Sequence, residues 1–168
     1  MYWYDWITLG ILVAVTIIQI IRGSKAGGMG LPLFEAAGVV VAAVASTAFS
    51  HQLAGIIHVN EGTVMLVLFI LLSVLAFIVG RWLFTLTGLT FESLDWFFSA
   101  LSGLVMAWAI AHMFLRITMV SQGGGGELAN AMSSSPVARE VFQFRTWNAL
   151  MKLLFKAKLG PEINPDVG

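Results

Sequence analysis

The stretch Gly62–Gly80, GTVMLVLFILLSVLAFIVG, decides the fold. It runs for 19 residues without an Asp, Glu, Lys or Arg, and a helix needs about 20 mostly apolar residues to cross ~30 Å of hydrocarbon. Working outward, the remaining charges cut the chain into similar runs. Toward the N-terminus, Leu31 to Phe49 contains one charge, Glu35. Before it lies the run between Asp5 and Arg22, preceded by Tyr2, Trp3, Tyr4 and Trp6, aromatic residues of the kind that sit at headgroup depth. Toward the C-terminus, Trp96 to Leu115 has no formal charge, and His112 is its only readily titratable group. The pattern predicts an all-α integral membrane protein with spans over about 2–22, 31–49, 63–80 and 96–116, together a membrane domain over 1–121.

Composition agrees. Hydrophobic residues make up 58% of the 168 and charged residues 11%, against the ~25% charge that dresses a soluble domain. Nine basic residues balance nine acidic ones, which removes the footprint of a nucleic-acid binder. The absence of cysteine excludes disulfides, thiolate metal sites and cysteine nucleophiles. No motif implies a cofactor. Gly123–Gly126 has neither a preceding strand nor the lysine of a phosphate-cradling loop, and reads as a flexible linker.

That Gly/Ser-rich linker is expected over 122–134. Ser135-Pro136 then supplies a cap and a first helical residue. An amphipathic helix is expected over 135–159, with Val137, Val141, Phe144, Trp147, Met151 and Leu154 on one face and Arg145, Lys152 and Lys156 on another. Basic residues opposite an apolar face suit a helix in the membrane interface, anchored by Arg145, Trp147, Lys152 and Lys156; docking on the protein's own membrane domain is the alternative. Residues 160–168 are expected to be disordered.

Orientation follows from the basic residues. Arg22 and Lys25 occupy the first connection and Arg81 the third, while the second, residues 50–62, has none. The positive-inside rule then predicts both termini and the second connection outside. Met1 to Gly10 lacks the basic region of a secretory signal, so the first helix is expected to be retained.

Because lipid tails are as apolar as leucine, membrane helices associate where small residues allow close approach. Ser99, Gly103, Ala107 and Ala111 form such a stripe on the fourth span, and Gly38, Ala42 and Ser46 form one on the second. The first and third spans are bulky, so the second and fourth are expected to be the close pair.

Several of these residues also carry a family resemblance. Asp5-Trp6-Ile7, Arg22-Gly23, Gly27, Glu35-Ala36-Ala37-Gly38, Leu94-Asp95-Trp96-Phe97-Phe98-Ser99 through Gly103-Leu104, and Ser133-Ser134-Ser135-Pro136 together resemble the colicin V production protein (CvpA) family over roughly residues 5–150. Ser99 stands where that family usually has glycine, and Met106 where it commonly has a basic residue. The resemblance implies a four-helix bacterial inner-membrane protein, linked to toxin production or export and to envelope maintenance. Its partners would be the lipid bilayer and further copies or other envelope and export proteins.

Among candidate chemical residues, Glu35 stands out, since a carboxylate within a span marks an ion or proton path or a buried pair. Pro32 places it near a helix start, where the dipole favours negative charge and Arg22 or Lys25 could reach it. His51, His58, His112 and Glu61 share one side of the membrane in the expected topology and form a candidate metal set. Glu92 and Asp95 suit the N-terminus of the fourth helix.

Overall fold

The computed structural model describes residues 2–90, 92–123, 127–144 and 148. Among them there is no strand, and four helices are long and apolar enough to cross a membrane: α1 (Trp3–Ala26), α2 (Gly30–Ile57), α3 (Glu61–Thr87) and α4 (Asp95–Ser121). Two short helices follow, α5 (Glu127–Ser134) and α6 (Pro136–Gln143). The chain is a multi-pass all-α membrane protein.

The helices overrun the spans read from the charges. Backbone breakers, rather than charged residues, end them: Gly27, His58 and Gly88 take left-handed conformations at φ 73°, 55° and 54°. Glycine meets that requirement without a Cβ penalty. α2 therefore continues past Phe49 to Ile57, and the second connection shrinks to His58–Asn60. Asn60 restarts the chain by accepting the Gly62 N–H at 2.8 Å, an N-cap bond.

The pairing of helices differs from the expectation. α4 packs most extensively on α1, and α2 on α3; α2 and α4 touch less, and join the two pairs. The α4 stripe is fully buried at Ser99, Ala107 and Ala111, but its neighbour is α1. A Cβ on Gly103 would sit 2.9 Å from the Gln19 Cβ and 3.2 Å from the Thr16 Cα. On α2, a Cβ at Gly38 would lie 2.6 Å from the Ala76 Cβ of α3. Counting bulky residues misjudged α1 and α3 because small and polar residues mark their contact faces amid the bulk: Thr8, Gln19 and Gly23 are buried on α1 beside Tyr4, and Gly80 on α3 beside Met65 and Phe69. Between α2 and α4 the contact runs through Ala36, Val39, Ala42, Met106 and Met113.

The segment after α4 also differs. Where a linker was expected over 122–134, residues Glu127–Ser134 form α5. The helix expected over 135–159 starts as anticipated, with Ser135 Oγ accepting the Ala138 N–H; α6 ends at Gln143, where Phe144 takes φ 53°, Asn148 is again helical, and 145–147 and 149–159 lie outside the described residues. This turn places the Phe144 ring 6.2 Å from that of Trp108 and 5.3 Å from that of His112. Asn148 closes the turn, its Nδ2 donating to the Gln143 carbonyl at 2.8 Å. The apolar face of α6, Ala138, Val141 and Phe142, is covered by Tyr4 of α1 and Ala111 and Leu115 of α4. Trp108 Nε1 donates to the Val141 carbonyl at 3.2 Å. Trp108 precedes the end of α4 by 13 residues, about 20 Å of helix, so α6 runs back along the bundle toward its middle. Arg145, Trp147, Lys152, Lys156 and the tail 160–168 lie outside the described residues.

Gly103→Leu should lower the melting temperature in detergent by an amount equivalent to about 1–3 kcal/mol, the range for overpacking a fitted contact. Val105→Leu, on an exposed position, should leave it unchanged. Equal melting temperatures would show that Gly103 is not a point of close approach.

Candidate functional site

Glu35 is the sixth residue of α2, past the first turn, and its side chain is 1% exposed. Isolating a carboxylate there would cost many kcal/mol of lost solvation; two side chains of α1 compensate. Arg22 Nη2 donates to Oε1 at 2.6 Å, and Gln19 Nε2 to Oε2 at 3.1 Å. Gln19, Arg22 and Gly23 lie at i, i+3 and i+4, one face of α1. The same Gln19 nitrogen lies 2.8 Å from Met106 Sδ of α4. From α3, the Phe77 ring lies 5.6 Å below the Arg22 guanidinium, a cation–π arrangement. Gly80 admits α3 to the Glu35 backbone, since a Cβ there would be 3.2 Å from the Glu35 nitrogen and 3.3 Å from its Cγ. All four long helices thus contribute to the surroundings of the Gln19–Arg22–Glu35 junction.

Arg22 keeps 40% of its side-chain exposure, and it opens on a cleft of about 430 Å³ lined also by Lys25, Leu31, Arg81, Phe84 and Thr85. The cleft lies at the end of the bundle where α1 leads to α2 and α3 to α4.

Asp95 fastens that end. Its Oδ1 accepts the Met29 N–H at 3.0 Å and its Oδ2 accepts the Thr90 hydroxyl at 2.7 Å, tying the first connection to the third. Beside it Gly30 N–H donates to the Leu89 carbonyl at 3.1 Å, and a Cβ on Gly28 or Gly30 would stand 2.8 Å from that oxygen. Gly23 gives a further close approach, to Ser99 of α4 and Pro32 of α2. At the opposite end, fully buried Asp5 accepts the Tyr2 N–H at 2.8 Å and the Ser135 hydroxyl, so the start of α1 holds the start of α6.

The candidate metal set does not assemble. His51 Nδ1 and Ser50 Oγ approach Glu61 at 3.2 and 3.3 Å. His58 ends α2 with its ring on the Gly55 carbonyl at 2.9 Å, while His112 stacks on Phe142 at 5.1 Å. Among the described residues no group of three or more His, Asp or Glu is placed to hold a metal; the extension of α2 through Ile57 distributes these residues over different surfaces.

Sequence reasoning singled out Glu35, Arg22, Gly23 and Asp95, which the structure concentrates at one end. It missed Gln19 and the Ser135–Asp5 bond. Gln19 was legible as a polar residue inside an apolar run, one turn before an arginine; Ser135 and Asp5 are 130 positions apart, with no local pattern linking them. Comparison with protein-family models, curated proteins and solved structures finds no match to this chain.

Removing Arg22 alone leaves the buried acid without a counter-charge, with only the Gln19 amide donating to it. Arg22→Met should destabilise the protein by about 3 kcal/mol, the low end for breaking a buried pair because this arginine is half-exposed. Arg22→Met/Glu35→Gln should recover at least half of the loss in detergent unfolding. A double variant as unstable as Arg22→Met would mean that the pair is not what holds the junction.

Proposed function

We propose that this chain is a non-enzymatic bacterial inner-membrane protein, a component or scaffold in toxin production or export and envelope maintenance, as its resemblance to the CvpA family implies. One observation carries this reading: the polar residues of the resemblance act in holding the chain together. Glu35 and Arg22 pair with each other, Asp95 ties two connections, and Asp5 holds Ser135. Groups spent in this way shape a surface for other proteins and lipid. In this reading both termini and the His58–Asn60 turn face outward, while the Arg22 and Arg81 end faces the cytoplasm.

A second reading, a small channel or transporter using Glu35 in an ion or proton path, draws on the cleft beside Arg22. Crosslinking in native membranes followed by mass spectrometry should recover discrete partners or a discrete homo-oligomer, and vesicles containing the protein should show no solute flux that depends on Glu35. Flux abolished by Glu35→Gln would favour the second reading and reject the first.

The orientation has its own test. A cysteine placed at Asn60 should label from outside intact cells, and one at Ser24 should not. The reverse pattern would invert the topology.

A further inference from the structure

Three cations converge on the cleft at the Asp95-fastened end: Arg22 and Lys25 from α1 and Arg81 from α3. Glu35 balances one of them, and among the described residues neither Lys25 nor Arg81 is in an ion pair. Two net positive charges therefore share one concavity. Arg22 is held by Glu35 through Nη2 alone, and a guanidinium has five N–H donors, so the junction orients this side chain without exhausting it.

The depth of the cleft is as informative as its charge. Arg22 lies four residues before the end of α1 and Arg81 six before the end of α3, about 6–9 Å along a helix. α1 and α3, at 24 and 27 residues, overhang a ~30 Å core by about 3–5 Å at each end, so both side chains start just inside its edge and extend outward to the headgroups. Trp82, 60% exposed beside Arg81, is a residue type favoured at that level. Apart from Thr85, the remaining wall is apolar, made by Ala26, Leu31 and Phe84. A basic recess between membrane helices with an apolar wall matches an anionic headgroup whose chains continue into the bilayer.

We propose that this cleft is a phosphate-ester site, with the Arg22 guanidinium as its fixed donor and Lys25 and Arg81 as flanking cations. The phosphate comes either from an anionic phospholipid or from a phosphorylated solute. The inference requires only that the chain spans a membrane and is independent of the scaffold reading.

The test uses the full chain in a neutral detergent, with bound lipid counted by native mass spectrometry. Phosphatidylglycerol should bind at least roughly tenfold more tightly than phosphatidylcholine, whose phosphate charge is cancelled within its own headgroup. Lys25→Gln/Arg81→Gln, which leaves Arg22 and Glu35 in place, should weaken phosphatidylglycerol binding by roughly thirtyfold, the effect of two basic groups near an anionic surface. Arg139→Gln, at an exposed position of α6, should not weaken it.

Competition by millimolar inorganic phosphate would identify a phosphorylated solute as the source, and indifference to it would identify the lipid. Arg81→Gln alone, expected to lose part of the affinity, provides a second reading if the double variant unfolds. Unchanged phosphatidylglycerol binding in the folded variants, or an equal loss in Arg139→Gln, would overturn the proposal. So would binding of an acidic peptide in place of either phosphate source.

Discussion

The structure depends on one constraint: an acid placed beyond the first turn of a membrane helix must find its partners inside the protein. Glu35 finds them on α1, and the geometry of that contact limits everything nearby. Arg22 and Gln19 can both reach the carboxylate only if α1 and α2 are close at this level. Gln19 then brings Met106, and with it α4, to the same point. α3 arrives through a glycine, Gly80, and through Phe77 beneath the guanidinium. Interhelical polar contacts in membranes contribute about 0.6–2 kcal/mol each. The importance of this one therefore lies less in its strength than in the severe cost of leaving the carboxylate unpaired.

Elsewhere the bundle relies on proximity. Burying leucine against leucine gains little when the alternative is lipid, so dispersion between closely spaced backbones must hold the helices together. Gly103 against α1, Gly38 against α3 and Gly23 against α4 mark where this happens. The outer faces of α3, with Leu71, Val74 and Ile78 exposed, are left to the bilayer. A chain with so little charge can be organised this way because few residues need to be specific: a glycine at the crossing and a polar group at its end suffice to set a pair.

Much of this was legible before the structure. The four spans could be read from where charges are absent, since hydrocarbon excludes them whatever the fold. Helix ends were less legible, because charge marks the membrane boundary whereas Gly27, His58 and Gly88 mark the backbone boundary, several residues further along. Helix pairing was misread for a related reason. The small stripes on α2 and α4 were visible, but a stripe identifies a face that packs without naming its partner. Thr16 on α1 and Ala76 on α3 fit those stripes while looking unremarkable in their own runs. The break at Phe144 was hidden because the apolar repeat continues through it. The packing of the Phe144 ring against Trp108 and His112 is a tertiary effect with no local signature.

The pairing of α1 with α4 has a consequence for how the protein is made. A ribosome delivers α1 first and α4 last among the four, so α1 enters the bilayer before the helix that covers Thr8, Gln19 and Gly23 has been synthesised. α2 follows at once and carries Glu35, which can engage Arg22 while the rest of the chain is still emerging. The acid thus gives the unaccompanied first helix a companion at Gln19 and Arg22. α4 then inserts beside a face already arranged to receive it. Ser135, which docks against Asp5, emerges only after both, so the oldest and youngest described parts of the chain close the assembly together.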